Sequence, residues 1–472
     1  MVTARQPAGD APPAGVEADQ RLAFLSSISR RASRWLRWPR SGAIAAVLAY
    51  ALLLAAGTLL LLVPAASAAH TTAADAFFTT VSAVTLTGLV TVPVQEHWTL
   101  LGEGILAALT VSGGLLYLVG ATVILWLLGR RFGMRDSGMK RLFRGVPGVG
   151  EVLGVVRTVL TVAIVVQAIG AVALFLVLLA ADVPADRALW WGPFHAVSAF
   201  NNTGFALPEG GYAAFHDDVP VLVVTGALAM LGAIGPIPLA LYASRRSLRR
   251  LPLDTRVILV AMATVLIGGA GVLLIGEWTN PATLAAEPGW RRPFLALFES
   301  SARTTGFTTL DTAAFREESK VFGTGLMLIG GAAGSVSGGL KVATIAVLAT
   351  GLLNALAGRD RLSLLGSELP PSAFRHALAI TFLFGGAVTF LCAGLIAASH
   401  AAPIDALFEG ISAVTLSGWS VGQTAEAGAW ERGLLITGML AGRFLPLLLV
   451  IQMARERRQP PMRHVEDSIR FG

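Results

Sequence analysis

The sequence predicts an all-α integral membrane protein with eight spans, in which a helix, a re-entrant pore loop and a second helix occur four times around one central pore. Three observations lead to this fold class. The composition is strongly apolar, long apolar stretches alternate with basic clusters, and one short motif recurs four times along the chain.

The composition favours one large membrane domain. Of 472 residues, 54% are hydrophobic and 14% are charged, and the mean hydropathy is +0.68. Soluble domains carry about 25% charged residues, and this length would otherwise fit roughly three of them. The single cysteine, Cys392, excludes a disulfide within the chain, and the seven histidines lack ligand spacing. We therefore expect no resident metal or cofactor.

Eight apolar stretches are suitable for crossing a bilayer, which takes about 20 residues per helix. They run at about 43–63, 100–128, 152–181, 219–243, 256–276, 321–353, 376–398 and 430–453. Basic clusters separate every second stretch, at 30–40, 130–144, 245–256, 359–375 and 455–463. Because cytoplasmic loops are enriched in Lys and Arg, both termini are predicted to be cytoplasmic.

The same clusters explain the net charge of +7 as a topology signal, so no nucleic-acid partner is expected. They could in addition dock a cytosolic protein. Residues 1–40 form a basic N-terminal segment whose Pro- and Ala-rich start predicts disorder. The small residues at 66–68 resemble a signal-peptide cleavage site, but the apolar run before them is long, which favours a retained first span.

The recurring motif lies in the segments between paired spans. The four copies are DAFFTTVSAVTLTGLV at 75–90, WGPFHAVSAFNNTGFA at 191–206, PFLALFESSARTTGFT at 293–308 and DALFEGISAVTLSGWS at 405–420. They align on four glycines, Gly88, Gly204, Gly306 and Gly418. A hydroxyl residue precedes each glycine, at Thr87, Thr203, Thr305 and Ser417. A serine stands six residues before each glycine, at Ser82, Ser198, Ser300 and Ser412.

A short helix that enters the membrane and turns back leaves its last carbonyls unpaired. Such backbone survives at membrane depth where it is buried in protein or lines a watery cavity. Glycine allows close approach of the backbone, and rings of carbonyls can replace the water shell of a dehydrated monovalent cation. The helix C-terminal ends also favour cations. Ordinary extracellular loops with incidental glycines are the alternative, but they do not predict the shared serine and hydroxyl.

From about residue 40 to 455 the sequence resembles the Trk/Ktr/HKT superfamily of potassium transporters. The stretches SAVTLTGLV, SAFNNTGF and SARTTGFTTLD are similar to the first three pore loops of that family, and SAVTLSGWSVG is a looser match to the fourth. The resemblance implies that the four glycines and the hydroxyl residues before them form a potassium selectivity filter. Glycine in all four loops is the pattern that the family associates with potassium preference.

A second motif, GGAAGSVSGGLK, interrupts the apolar stretch 321–353. It does not fit a phosphate-binding loop, because Lys341 follows Leu340 and precedes Val342. Close helix packing through small residues remains an alternative to an intramembrane loop. The resemblance implies a gating loop at this place. The gating residues that it implies are Gly334, Ser335, Gly338, Gly339, Lys341 and Arg443.

Arg443 lies near the middle of the last apolar stretch, where a charge is costly and usually faces a cavity or a partner. Snorkelling to an interface is the alternative. Gln167 stands where many members of the family have glutamate, which leaves its role open. Glu299 and Arg303 are one turn apart and could pair locally. Glu277, with Asn280, is expected to cap or brace the outer mouth.

The resemblance implies the ion-translocating subunit of a potassium uptake system in the plasma membrane, with K⁺ as the transported ion. It also implies a homodimer in membrane lipid, resting on a separate cytosolic nucleotide-binding subunit of the TrkA/KtrA type. Na⁺ or H⁺ could be a coupling ion. A sodium-permeable or poorly selective member of the family, the membrane subunit of a potassium pump and a polytopic membrane enzyme are the alternatives. The last would need a catalytic constellation that the sequence does not offer.

The organisation expected from these observations has six parts. They are the N-terminal segment 1–40, pore repeat 1 at 41–130, pore repeat 2 at 150–244, pore repeat 3 with its loop at 254–355, pore repeat 4 at 372–455 and a cytoplasmic tail at 456–472.

Overall fold

A computed structural model describes residues 39–131, 149–358 and 362–453, and every structural statement below concerns these residues. The chain divides into two units, residues 1–52 and 53–472. The first is described from residue 39 onward as the N-terminal part of one helix, and all contacts below lie within the second. The N-terminal segment up to residue 38, the tail from 454 and most of the basic cluster at 130–144 lie outside the described residues.

The described chain is helical apart from a two-stranded antiparallel hairpin, in which Ser363 pairs with Glu368. The helices up to the middle of the chain are α1 Pro39–Leu61, α2 Ala73–Thr85, α3 Val94–His97, α4 Leu100–Arg131, α5 Val149–Ala180, α6 Ala185–Phe200, α7 Val219–Ile234, α8 Pro236–Arg245 and α9 Leu253–Glu277. The remaining elements are α10 Arg292–Ala302, α11 Glu317–Leu328, α12 Val342–Leu356, β1 Ser363–Leu364, β2 Ser367–Glu368, α13 Pro371–Ala398, α14 Pro403–Thr415, α15 Gln423–Glu426 and α16 Ala429–Met453.

Among the described residues, four helical stretches are long and apolar enough to cross a membrane. They are Leu100–Ala121, Val152–Ala180, Leu253–Glu277 and Ser372–Ala398. The bent pair α7–α8 makes a fifth if it is counted as one span. Shorter apolar helical stretches lie at Val47–Leu61 and Val342–Leu356. The protein is therefore a helical multi-pass membrane protein.

Two of the expected spans are broken. The stretch predicted at 219–243 bends by 98° between α7 and α8. Gly235 has a positive φ of 85° there, and Pro236 follows it, so a straight helix cannot continue through this pair. The stretch at 321–353 is interrupted by residues 329–341, which separate α11 from α12 and which we call the glycine-rich loop. The second break was predicted from the glycines, and the first was not.

Four short helices, α2, α6, α10 and α14, lie in the interior and are called the ring helices below. In α2 every residue from Phe78 to Thr85 is buried, so this helix has no face toward lipid or bulk water along that stretch. The large aromatic side chains Phe78, Phe408 and Trp419 are completely buried around these helices. The ring helices thus contribute a large part of the protein core, which inward-facing side chains of the long helices complete.

The long helices show the reverse pattern and expose apolar side chains on their outer faces. Phe382 and Phe390 of α13 are 80% and 82% exposed, and Ile275 of α9 is 80% exposed. In a water-soluble protein such a surface would be a large apolar patch. On a membrane protein it is the surface that hydrocarbon covers, which agrees with the apolar composition.

A glycine on a long helix touches the end of a ring helix at three similar places. A Cβ at Gly113 of α4 would overlap the carbonyl oxygen of Val84, and a Cβ at Gly232 of α7 would overlap that of Phe200. Gly442 of α16 stands in the same relation to the Val414 carbonyl oxygen. Small residues let helix backbones approach closely inside membranes. These contacts hold the ends of α2, α6 and α14 against their neighbouring helices.

We expect Gly442→Ala to lower the thermal stability of the detergent-solubilised protein, because the added methyl group overlaps the backbone of Val414. Overpacking of this kind costs about 1–3 kcal/mol. The matched control is Gly433→Ala in the same helix, where a Cβ would meet nothing within 4 Å. That change should be neutral or stabilising, since alanine favours a helix by about 1 kcal/mol over glycine. Equal melting temperatures of the two variants would contradict the packing argument.

Candidate functional site

The four aligned glycines, predicted from the motif, meet in the interior as a closed ring, which we call the glycine ring. A Cβ at Gly88 would overlap the Thr203 carbonyl oxygen, and one at Gly204 would overlap that of Thr305. A Cβ at Gly306 would lie 2.7 Å from the carbonyl oxygen of Gly418. A Cβ at Gly418 would overlap the Thr87 carbonyl oxygen, which closes the circle. The segments follow one another around the ring in chain order.

Two independent constraints require glycine at these positions. The φ angles of Gly88, Gly204, Gly306 and Gly418 are 88°, 82°, 73° and 77°, in the region that L side chains rarely adopt. Any side chain would also collide with the backbone of the next segment around the ring. The ring therefore consists of backbone atoms, with the carbonyl of a preceding hydroxyl residue at three of its contacts and the carbonyl of Gly418 at the fourth.

The turn before the ring is nearly the same in three segments. The residue two positions before the glycine has a positive φ of 63° at Leu86, 55° at Asn202 and 57° at Leu416. The next residue then donates its N–H to the carbonyl of the shared serine, as Thr87 does to Ser82 at 2.9 Å. A left-handed residue other than glycine costs roughly 1–2 kcal/mol. The surrounding packing holds this strain at the ring.

The third segment departs from this turn. Thr305 donates its N–H to Ala302 at 2.7 Å and not to the shared Ser300, and Thr304 has no positive φ. Ser300 instead donates its hydroxyl to the Leu266 carbonyl of α9 at 2.9 Å. The turns at the ring are therefore alike in three segments and different in the third.

The shared serine was the strongest regularity in the sequence, yet its hydroxyl does something different in each copy. The Ser82 hydroxyl accepts the N–H of Gly88 at 3.0 Å, and the Ser198 hydroxyl donates to the Phe205 carbonyl at 2.9 Å. The Ser412 hydroxyl is buried and makes no hydrogen bond to a described residue. What the copies share in three cases is the serine carbonyl, which accepts the N–H before the glycine.

Side chains of one segment also bond the neighbouring segment. Ser417 donates its hydroxyl to the Arg303 carbonyl at 2.6 Å, and the Trp419 indole donates to the Phe307 carbonyl at 3.4 Å. Asn202 donates its amide to the Thr304 hydroxyl at 2.8 Å. These bonds tie the second segment to the third and the third to the fourth.

The first segment is joined to helix α16 near the N-terminal end of that helix. Arg432 donates to the Asp75 carboxylate of α2 at 2.8 Å, and Asp75 also accepts the hydroxyl of Thr91 at 3.0 Å. Lys320 of α11 and Asp405 of α14 form a second such pair at 2.8 Å. Both pairs link elements that are far apart in the sequence.

The glycine-rich loop folds back on itself next to the ring helices. Gly330 donates its N–H to the Leu340 carbonyl at 2.9 Å, and Leu340 donates to Leu328 at 2.9 Å, so the two ends of the loop are bonded together. Gly334 and Gly339 have positive φ angles of 79° and 66°. The motif thus forms a loop between two helices, and the helix-packing alternative does not fit, because the helix ends at Leu328.

Contacts place this loop between the end of α14 and the bend of α7–α8. A Cβ at Gly338 would overlap the Thr415 carbonyl oxygen, and Ala332 donates its N–H to the Ala233 carbonyl at 2.8 Å. A Cβ at Gly235 would lie 3.2 Å from Ser335. Thr415 comes three residues before Gly418, so the loop lies against the helix-end side of the glycine ring.

Arg443 of α16 reaches this loop. It is 1% exposed, donates to the Val336 carbonyl at 2.7 Å and lies with its guanidinium 4.0 Å from the centre of the Tyr117 ring. Snorkelling does not describe a side chain held in this way. Lys341 donates to the Ser337 carbonyl at 2.5 Å. Both predicted cations therefore bond loop carbonyls.

The predicted pairing of Glu299 with Arg303 is wrong. Glu299 accepts the N–H and hydroxyl of Thr309 at 2.8 and 2.9 Å, and Arg303 donates to the carbonyls of Ser300 and Ile329 at 3.0 and 3.3 Å. One turn of helix places both residues near each other, but they bond different parts of the chain. Glu299 bonds Thr309 beyond the ring, and Arg303 bonds the carbonyls of Ser300 and Ile329. Helical spacing alone could not reveal these partners.

Two other polar groups have clear structural surroundings. Gln167 accepts the side-chain amide of Asn201 at 3.2 Å, so it steadies the end of α6. Glu277 accepts from the Asn280 amide at 2.6 Å and from the Arg316 N–H at 3.1 Å. The latter contacts brace the loops between α9 and α11, as expected for this pair.

Sequence reasoning missed a set of buried acceptors on the ring helices, His195 and Glu409 above all. Both are at most 2% exposed, and both bond the chain just beyond the glycine ring. The signal was present, because an ionisable residue stands within an otherwise apolar short helix. It was overlooked because its position is not the same in all four copies.

These features define a class of protein. The chain is a multi-pass helical membrane protein in which four short buried helices end at a closed ring of backbone turns, with the glycine-rich loop against the helix-end side of the ring. The ring consists of backbone atoms, and its contacts do not depend on a group of catalytic side chains.

Known proteins identify the family. The family described as TrkH, cation transport protein, matches residues 40–266 and 289–459. The chain belongs to this family. Ktr system potassium uptake protein B of Vibrio alginolyticus is 30% identical over 405 residues, covering 84% of this chain and 88% of that protein. Potassium/sodium uptake protein NtpJ of Enterococcus hirae is 28% identical, covering 84% and 89%. The crystal structure of the potassium transporter TrkH from Vibrio parahaemolyticus has the same fold, with a TM-score of 0.70 at 20% identity over 88% of this chain and 84% of that one.

We expect Ser417→Ala to destabilise the protein, because the Arg303 carbonyl would lose its buried donor. The loss should be about 0.5–1.5 kcal/mol. Ser412→Ala in the same segment is the control and should cost less, since that hydroxyl has no partner among the described residues. Thermal unfolding of the two purified variants in one detergent checks this. A larger loss for Ser412→Ala would contradict the assignment of partners.

Proposed function

We propose that the chain takes up potassium ions across the plasma membrane as the ion-translocating subunit of a Trk/Ktr-type system. The observation that carries this proposal is the closed ring of four glycine turns, each pressed against the backbone of the next. The family and the potassium uptake relatives support it. The protein is a transporter subunit and not an enzyme.

In this proposal Thr87, Thr203, Thr305 and Ser417, with the glycine that follows each, form the selectivity filter. Backbone carbonyls would take the place of water around K⁺, and the C-terminal ends of the four ring helices would add their negative dipole ends. A membrane potential supplies about 2.3 kcal/mol per 100 mV for each charge that enters. A potential that is negative inside would favour inward flux. Coupling to Na⁺ or H⁺ stays an alternative.

The finer architecture belongs to the same proposal. We place four pseudo-repeats around one pore, at 41–130, 150–244, 254–355 and 372–455, with eight spans and both termini in the cytoplasm. The bent pair α7–α8 and the interrupted pair α11–α12 would each count as one span. The contacts of Gly113, Gly232 and Gly442 with the ends of three ring helices support repetition.

We propose a homodimer in membrane lipid that works with a separate cytosolic nucleotide-binding subunit. The term "Ktr system" in the name of a relative supports a system of more than one component. Gly334, Ser335, Gly338, Gly339, Lys341 and Arg443 would gate the pore. The position of the loop against the helix-end side of the ring supports this gating role, because the loop would lie across an ion path there.

A second candidate function is sodium-permeable uptake. The printed name of the Enterococcus hirae relative, a potassium/sodium uptake protein, favours it. The four glycines favour potassium, because none of the segments carries a larger residue in the ring. Flux measurements with the two ions separate these functions.

The intact protein should restore growth at low potassium in a bacterium that lacks its own uptake systems. Gly88→Ser should weaken this rescue, because a side chain at φ 88° is strained and would overlap the Thr203 carbonyl. Gly268→Ser, where a Cβ would meet nothing within 4 Å, serves as the matched control. Failure of the intact, membrane-inserted protein to rescue would refute the potassium function.

Removing the cation that holds the loop should open the path. We expect Arg443→Met to raise the initial rate of potassium uptake several-fold, because the Val336 carbonyl loses a charged donor worth about 1.5–3 kcal/mol. Thr437→Ala on the same helix is the control, since its hydroxyl bonds only the Gly433 carbonyl of its own turn. An unchanged or slower rate, with equal amounts of protein in the membrane, would argue against a gating role.

A further inference from the structure

Beyond the glycine ring the chain turns away, and its backbone is held at the same position in three segments. The position is the third residue after the glycine. The N–H of Leu207 is accepted by Nε2 of His195 at 3.1 Å, and the N–H of Thr309 by Oε1 of Glu299 at 2.8 Å. In each case the acceptor stands on the ring helix of the same segment.

The fourth segment repeats this bond with another carboxylate. The N–H of Val421 is accepted by Oε1 of Glu409 at 3.0 Å. Glu409 also accepts the hydroxyls of Ser420 and Thr424, at 2.5 and 2.6 Å. One carboxylate thus gathers three groups of the stretch that leaves the ring.

The first segment reaches the same result by a different bond. Thr91 is the third residue after Gly88, and its hydroxyl bonds the Asp75 carboxylate of α2 at 3.0 Å. Asp75 is in turn held by Arg432 at 2.8 Å. All four segments are therefore tied to an acceptor side chain of their own ring helix.

Burying these acceptor side chains costs free energy of desolvation. Glu299 and His195 are fully buried and Glu409 is 2% exposed. Burying a carboxylate is costly unless several donors satisfy it, and the donors here come from the chain beyond the ring. An imidazole that accepts at Nε2 is neutral and carries its hydrogen on Nδ1. An apolar side chain of the same size would avoid the cost of burying the acceptor but would leave the N–H beyond the ring without its partner, so the role of these acceptors goes beyond filling space.

The geometry suggests what the acceptors do. Each acceptor joins a ring helix to the stretch of chain that follows the ring glycine. The length of the acceptor side chain therefore sets the distance between that stretch and the helix. Together they set how closely opposing segments face each other. Discrimination between K⁺ and Na⁺ by carbonyl rings depends on the size of the ring and on the number and field of its carbonyl dipoles.

We propose that His195, Glu299 and Glu409, with Asp75 in the first segment, are positioning residues that set the preference of the ring for potassium over sodium. This inference rests on the proposed function. The acceptor oxygen or nitrogen matters in it, and the negative charge does not, because neutral His195 does the same work in the second segment.

The test measures ⁸⁶Rb⁺ and ²²Na⁺ uptake by the purified full chain in liposomes. Glu409→Ala should lower the rubidium-to-sodium uptake ratio at least about fivefold, because the buried hydrogen bond to the Val421 N–H is lost. Glu409→Gln keeps an acceptor oxygen for the Val421 N–H and should stay within about twofold of the intact protein. Glu426→Ala is the matched control, since Glu426 is exposed on the adjacent short helix.

A shorter carboxylate keeps the test decisive if the alanine variant does not fold. Glu409→Asp retains charge but loses one methylene of reach, so it should also lower the ratio. Glu299→Ala and Glu299→Gln repeat the comparison in the third segment. Intact selectivity in folded Glu409→Asp and Glu299→Ala would overturn the proposal, and so would a loss in Glu409→Gln as large as in the shorter variants. Absence of rubidium uptake by the intact chain would instead refute the proposed function.

Discussion

Backbone at membrane depth must find its partners in the protein, because hydrocarbon offers none. Here four turns with positive φ meet at one place, and the surrounding elements bond or enclose their backbone. The ring helices end at the turns, glycines on the long helices let those ends be enclosed, and buried acceptors bond the chain as it leaves. The long apolar helices enclose these backbone groups and separate them from the lipid.

The third segment shows how the structure tolerates inequality. It lacks the left-handed residue before the ring and bonds its serine to α9, and it carries the completely buried Arg303. The helix that follows it is also the one that breaks into the glycine-rich loop, and Arg303 bonds that loop at the Ile329 carbonyl. The irregular turn and the loop therefore belong together, on the side of the ring where the chain departs from fourfold repetition.

The positions of the ring glycines could be predicted because repetition makes a signal that no single copy would give. The loop could be predicted because Gly334 and its neighbours exclude a continuous helix. The bend at Gly235 could not, since one glycine before a proline within an apolar run also occurs in kinked spans. The partners of Glu299 and Arg303 could not be predicted from the sequence for another reason. Pairing within a helix is local, whereas Thr309 and Ile329 come near only after the chain has folded.

The bond between Asp75 and Arg432 has a consequence for the way the protein is made. It joins the first ring helix to the last long helix, and at the ring the Gly418 turn fits against the Thr87 carbonyl. A ribosome delivers these two partners at the beginning and the end of synthesis. The closed ring can therefore form only after the fourth segment has been synthesised. A chain that ends before the fourth segment has three of the four turns and cannot close the ring.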